Sequence, residues 1–338
     1  MTLTMTQRPG RGLGKGLLLA CLALFVLLVG IALVGIERNQ VPPIAPFAYT
    51  DTKATASPEV ATLAEWLGAT PVVMELRAPD ADRALARAEA ARMPDGAHLL
   101  LSWQPAVAGP MLRTEIRAEE EKRLIEALRT HLPEGSAILA MPETSRRLVA
   151  FVTAGFPLAE VPPPLLLPVE WQGAAEAAQA ADAGVWGAPP TANEATLAPY
   201  LDALLAEDVN GAARLRVLAG TGDAYALVHL RDAFAMGLIR PDRFTMAQRS
   251  FVAGGFSHDL AREAKTWGRE QGHAAYAIDR DAQGRLRGHF LTEPRETATL
   301  LAQLLPFNTS RLGEVPGMRL VWQGGGYWLY RIAPLEGS

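Results

Sequence analysis

The chain has 338 residues, of which 49% are hydrophobic, and its formal net charge at pH 7 is −4. The hydrophobic content excludes wholesale disorder, and the slight acidic excess makes nucleic acid a poor partner, so we assign none. The single cysteine, Cys21, excludes an intrachain disulfide, a two-cysteine attachment of c-type haem and the usual cysteine-ligated metal sites. We therefore assign no cofactor to the chain.

The first predicted element is an uncharged apolar helix at residues 16–36. At about 1.5 Å per residue it spans roughly 31 Å, close to the thickness of a bilayer core. Three cations precede it and no acidic residue does. By the positive-inside rule, residues 1–15 form a cytoplasmic tail and the chain after the helix is exported. The sequence predicts a single-pass protein of the bacterial inner membrane, held in the lipid bilayer by residues 16–36, with a periplasmic soluble region.

Two other interpretations of this segment compete with the anchor. A cleaved signal peptide has a shorter apolar run, of about 7–15 residues, and a small-residue exit that the segment after Ile36 does not supply. A lipoprotein signal would place its lipid on Cys21, which follows the letters LLA, but only Gly16–Leu19 would then precede it as apolar stretch. We favour an uncleaved anchor.

Residues 37–57 are Pro-rich and then small and polar, which is typical of an extended linker. Helix and strand patterns then alternate over residues 58–161, which we take as a first α/β lobe. The first predicted element is a short helix with Ser57 as its N-cap and Pro58 at its first position. The elements that follow, in chain order, are the strand PVVMEL, a helix over 81–93, a buried strand over 97–103, an amphipathic helix over 114–132, the strand SAILAM and a helix over 143–155. In the helix over 114–132, the run Glu119–Glu121 is predicted to face solvent. Such alternation predicts a parallel sheet.

Three consecutive prolines at 162–164 exclude regular structure, so we take 162–168 as a Pro-rich crossover to a second α/β lobe over 169–338. This lobe contains a helix whose start is marked by Pro199, the strands ARLRVLAG and AYALVHL, three further helices and two hairpins. The predicted fold class is α/β, with one transmembrane helix followed by two packed α/β lobes, a mainly parallel sheet and a C-terminal β-hairpin.

The segment RLVWQGGGYWLYRI contains three consecutive glycines, Gly324–Gly326. A phosphate-binding loop would lead from a strand into a helix. Here strand-forming aromatic and aliphatic residues follow the glycines. A hairpin turn is therefore favoured, because glycine adopts positive φ without steric cost.

One candidate ligand site lies after the strand SAILAM, where Thr144, Ser145 and Arg146 begin a helix. Ligands of open α/β sheets bind at this edge, and a helix N-terminus attracts anions. Arg146 or Arg147 would assist. The alternative is simple capping by Thr144 or Ser145 beside solvated arginines. In the second half of the chain, His229, His258 and His289 are candidates for a further site, with ordinary surface or core histidines as the alternative.

Four aromatic residues crowd the C-terminal hairpin: Trp322, Tyr327, Trp328 and Tyr330. Trp and Tyr are common anchors of protein interfaces, so this ribbon is a candidate docking surface for a partner. The alternative is cross-strand packing inside the fold.

The chain resembles the hydroxylamine oxidation protein HaoB family. The N-terminal anchor and the segments ILAMPETSRRLVAFVTAG, YALVHLRDAFAMGLIRPDRF and VWQGGGYWLYRI carry this resemblance. That family is encoded beside the multihaem hydroxylamine oxidoreductase of ammonia oxidisers and methanotrophs. The resemblance implies an accessory role near a periplasmic haem enzyme, and it transfers no catalytic residue.

The preferred hypothesis is a non-catalytic, membrane-anchored periplasmic accessory protein that docks onto a multihaem hydroxylamine oxidoreductase. The alternative is a periplasmic hydrolase or ligand-binding enzyme at the strand edge near Glu143, Thr144, Ser145 and Arg146. A third possibility is a structural protein of the envelope without a dedicated ligand.

Overall fold

The computed structural model describes residues 44–79, 81–107, 109, 111–187, 194–251, 257–281, 283–307 and 314–334. The predicted anchor at 16–36 and the tail before it lie outside these ranges and stay predictions. Within the described ranges, no helix is both long enough and apolar enough to cross a bilayer.

The first sheet is an antiparallel meander of β1 (Ala48–Asp51), β2 (Thr70–Arg77), β3 (Ala86–Arg92) and β4 (His98–Pro105). Helix α1 (Pro58–Trp66) starts with proline at its first position, as predicted, and buries Val60 and Leu63 against the sheet.

The helix predicted over 81–93 is wrong, because residues 86–92 form β3. Alanine, arginine and glutamate favour helices, but this segment pairs along both edges with β2 and β4. Ala86, Ala88 and Ala90 are fully buried in the cluster that contains Trp103 and Trp186. Small side chains on β3 leave room for these two indoles.

The central sheet has the order β10-β11-β6-β5 and contains β5 (Ala137–Leu139), β6 (Ala224–His229), β10 (Met318–Gly324) and β11 (Tyr327–Ile332). Only β5 and β6 pair in parallel among the described strands. The prediction of a mainly parallel sheet is therefore wrong. Every residue of β6 is buried, and such a continuous apolar run suggests parallel pairing, although its other neighbour, β11, is antiparallel. The predicted C-terminal hairpin, β10–β11, is confirmed.

The helices after β4 cover these sheets. They are α2 (Ala118–His131), α3 (Pro142–Leu148), α4 (Ala175–Trp186), α5 (Glu194–Leu204), α6 (Asp208–Ala219) and α7 (Leu230–Ile239). Helix α3 is shorter than the predicted 143–155, and Pro199 lies inside α5 rather than at its start. The predicted strand ARLRVLAG is wrong, because most of it belongs to α6. Ala212 and Leu215 are buried three residues apart, the spacing of a helix face.

A third sheet, with the order β7-β9-β8, is antiparallel and contains β7 (Met246–Phe251), β8 (Ala275–Arg280) and β9 (Leu286–Leu291). Its apolar face, with Phe251 and Phe290, packs against α8 (Ser257–Glu270). Its other face is polar. There Gln248 pairs with His289, and Arg287 pairs with both Ser250 and Asp279.

Two 3-10 helices (Val169–Ala174 and Pro294–Ala298) and the short α9 (Leu300–Leu304) complete the described elements. The described residues from Ala45 onward form one compact unit. In the central sheet, β5 precedes the Pro-rich segment 162–168 in the sequence, and the other three strands follow it. The division into a lobe over 58–161 and a lobe over 169–338 stays a prediction.

Candidate functional site

A polar cavity of about 380 Å³ opens where the first turn of α2 and the start of α7 face the polar side of the small sheet. Residues of the cavity come from three regions of the sequence, 105–120, 229–234 and 248–289. The lining includes five arginines and three carboxylates: Arg113, Arg117, Arg231, Arg285, Arg287, Glu115, Glu120 and Asp281. His229 lines one wall and His289 the other.

The first turn of α2 points inward, so the predicted solvent-facing run Glu119–Glu121 is wrong for two of its three residues. Glu120 is 5% exposed and Glu121 is 1% exposed. Glu121 accepts hydrogen bonds from Arg231 (2.8 Å), from Arg147 (3.3 Å) and from the Tyr327 hydroxyl. A buried carboxylate requires such partners, and all three come from elements distant in sequence.

The N-terminus of α7 fixes His229 through a capping box. The His229 Nδ1 atom accepts from the Arg231 backbone N–H at 3.0 Å, and Asp232 accepts from the His229 backbone N–H at 2.8 Å. Because Nδ1 is an acceptor, the proton of the neutral ring lies on Nε2. This Nε2 lies 3.4 Å from Glu120 Oε2 and makes no hydrogen bond within the described part of the chain.

Burial sets the protonation of this pair. It lowers the pKa of His229 well below the ordinary histidine value, so the ring is neutral. It also raises the pKa of Glu120 to about 7, although Arg117 and Arg231 oppose the shift. The contact is therefore not an ion pair. It joins a neutral imidazole N–H to a carboxyl group that exchanges a proton near neutral pH.

The glycine turn of the C-terminal hairpin packs directly on this pair. Gly325 and Gly326 have φ of 55° and 76°, the positive values of a tight hairpin turn. A Cβ atom at Gly326 would lie 2.3 Å from His229 Nε2, and one at Gly325 would lie 3.1 Å from Glu120 Cβ. Glycine is required here for close approach as well as for backbone conformation.

The opposite wall holds another histidine beside a carboxylate, and this pair is hydrogen-bonded. His289 is 1% exposed, and its Nε2 lies 3.1 Å from Asp279 Oδ1. Arg287 bonds Asp279 and reaches Glu115 at 3.1 Å across the cavity. Burial raises the pKa of Asp279, but the hydrogen bonds from His289 and Arg287 outweigh it and leave the pKa below its ordinary value.

The predicted anion edge at the start of α3 is occupied by internal contacts. The Ser145 hydroxyl is fully buried and donates to the Ala140 carbonyl at 3.1 Å. Thr144 accepts from Arg147, and Arg146 donates to the carbonyls of Trp186 and Gly187. Glu143 pairs with the buried Arg113. Ser145 and Arg146 therefore hydrogen-bond to backbone carbonyls just before α3 and at the end of α4.

Of the histidines predicted for a second-half site, the structure brings His229 and His289 to one cavity. The side chain of His258 lies outside the described residues. Within those residues, no group of three or more His, Cys, Asp or Glu side chains is arranged to hold a metal ion.

Three of the four aromatic residues proposed for docking are buried: Tyr327 (1% exposed), Trp328 (9%) and Tyr330 (0%). They cannot present a docking surface in this fold. Tyr327 lies against His229, with the ring centroids 4.6 Å apart, and the Tyr330 hydroxyl donates to the Leu304 carbonyl. Trp322, on β10, is half-buried and is the one member that keeps accessible surface.

The arrangement can exchange a proton at Glu120 and present arginine N–H groups to a ligand. The side-chain hydrogen bonds of His229 and His289 within the described residues go to Arg231, Gln248 and Asp279, and the His229 backbone N–H donates to Asp232.

Comparison with known proteins gives one positive result. No curated protein matches the chain. The model of a family described as HaoA-associated protein HaoB matches residues 14–332, nearly the whole length. The match includes the cavity, the glycine turn and all described elements of the central sheet, and the chain therefore belongs to the HaoB family.

Proposed function

We propose that the chain is a membrane-anchored periplasmic accessory protein that docks onto hydroxylamine oxidoreductase and is not itself a catalyst. The observation that carries the proposal is the family match over residues 14–332, since the family is described as associated with HaoA. Membership supports an accessory role in hydroxylamine oxidation. The anchor, the periplasmic location and direct docking are the further steps that we propose.

The apolar segment 16–36 supports the anchor. It is long enough to cross a bilayer, cations precede it, and the family match begins before it, at residue 14. A reporter enzyme that is active only in the periplasm, fused after residue 57, should be active, and the same reporter fused after residue 12 should be inactive. The reverse pattern would contradict the proposed orientation.

The fold gives no support to a hydrolase at Ser145. Its hydroxyl donates to a backbone carbonyl and has no accessible surface. A nucleophilic serine needs a base within hydrogen-bond reach and a path for substrate, and here the hydroxyl has neither among the described residues. This geometry favours the accessory role over the hydrolase.

Docking is tested by purifying the tagged full chain from membranes of a hydroxylamine-oxidising host. We expect a multihaem protein to co-purify, visible by its haem absorbance. Trp322→Ala should reduce its recovery several-fold. Trp171→Ala is a matched control, because Trp171 is also half-buried but lies in the 3-10 helix Val169–Ala174. Absence of haem protein from the wild-type preparation, or equal losses in both variants, would contradict docking through Trp322.

A further inference from the structure

Hydrogen-bond acceptors in the polar cavity are used internally, whereas several donors are not. Glu120 accepts from Arg117, and Asp281 accepts from the Arg285 side chain and from two backbone N–H groups. Asp279 and Glu115 accept from Arg287. The cavity therefore offers few lone pairs to a ligand.

The unused donors lie on the same walls. Arg117 donates only through Nη2, so its Nε and Nη1 have no acceptor within the described residues. The Nε of Arg231 and the Nη1 of Arg285 likewise have none there. His229 adds a buried Nε2–H whose nearest acceptor is 3.4 Å away. A buried donor without an acceptor costs free energy, and among these groups that applies to His229 Nε2, so an acceptor-rich ligand that reaches it removes the cost.

Charge and size point to the same chemistry. Guanidinium groups outnumber carboxylates in the lining by five to three. Arg113 and Arg231 also pair with carboxylates outside the lining, whereas Arg117 and Arg285 pair with carboxylates that belong to it. Guanidinium groups bind carboxylate and phosphate oxygens through paired N–H groups. A volume of about 380 Å³ lies at the small end of ligand pockets, which run from roughly 300 to 1,000 Å³.

We propose that this cavity is a binding site for a free small anion rich in acceptor oxygens, of the phosphate or polycarboxylate class, held by Arg117, Arg231 and Arg285. The proposal goes beyond the docking role, because it concerns a small ligand and does not require the partner protein.

The test uses the full chain in detergent, with inorganic phosphate and citrate as probes in isothermal titration calorimetry at constant ionic strength set by sodium chloride. The main variant is Ser250→Asp. Ser250 is exposed, lines the cavity from β7 and makes no side-chain hydrogen bond among the described residues, although it lies opposite Arg287 in the sheet, so the variant should fold. Its added negative charge should weaken binding by about tenfold or more. Arg117→Gln removes the principal donor and should do the same.

The matched control is Arg262→Gln, because Arg262 is a highly exposed arginine whose partner is Asp259 and which does not line the cavity. We expect it to bind both probes as the wild type does. The inference is overturned if wild-type protein binds neither phosphate nor citrate, or if Ser250→Asp and Arg262→Gln bind equally well. Thermal unfolding of each variant checks that the fold is intact.

Discussion

Replacing Gly326 by alanine should destabilise the protein more than the same change at Gly272. Both glycines have nearly the same positive φ, 76° and 74°, so each alanine has a left-handed backbone cost of about 1–2 kcal/mol. They differ in space, since a Cβ at Gly272 meets nothing within 4 Å, whereas one at Gly326 lies 2.3 Å from His229 Nε2. The ring cannot easily withdraw, because Arg231 holds Nδ1 and Tyr327 lies behind it. Overpacking a fixed core group costs about 1–3 kcal/mol.

Urea unfolding of the two variants, followed by tryptophan fluorescence in the same detergent, measures this difference directly. Gly326→Ala should lose about 1–3 kcal/mol more than Gly272→Ala. Because the unfolded-state effect of glycine replacement is common to both, it cancels in the comparison. Equal losses would show that the turn does not press on His229, and the close-packed pair described above would then be wrong.

Three further substitutions test other parts of the structure. The pKa of Glu120 rises from 4.5 to about 7 on folding, so its stabilising contribution is complete below pH 4.5 and is lost as pH rises through 7. Between pH 4 and pH 8, this group should therefore lower the free energy of unfolding of the wild type by about 3 kcal/mol. Glu120→Gln should lack this contribution when both proteins are unfolded in urea at several pH values. Trp328→Ala should lower the free energy of unfolding by about 3–5 kcal/mol, because the indole is buried. A change near zero would show that Trp328 lies at the surface. Ser145→Ala should lower the free energy of unfolding by about 1 kcal/mol and leave hydroxylamine oxidation by membranes unchanged. Loss of oxidation with an intact fold would instead support the enzyme hypothesis.

Local patterns predicted the elements whose partners are near in sequence. The C-terminal hairpin is predictable because aromatic and aliphatic residues flank a glycine turn. Helix α1 is predictable because Ser57 and Pro58 are typical of a helix start. The segment 86–92 was misread because intrinsic helix propensity favours alanine and arginine, whereas pairing with two neighbouring strands decides its structure.

The cavity was largely beyond sequence reasoning. Glu121 is buried by Arg147, Arg231 and Tyr327, which are 26, 110 and 206 residues away. A run of three glutamates at the start of an amphipathic helix ordinarily lies in solvent, and nothing local marks this one as different. One available signal was the third glycine of Gly324–Gly326, since a two-residue turn needs only two.

The position of β11 in the central sheet has a consequence for biogenesis. This strand is the last described element, yet it lies between β10 and β6, so β6 has no antiparallel neighbour until residues 327–332 have been synthesised. Until then the nascent chain exposes one hydrogen-bonding edge of a strand whose every residue ends up buried. Such an edge is a template for aggregation. A chain truncated before Tyr327 leaves this edge of β6 unpaired and should aggregate more readily than the full chain.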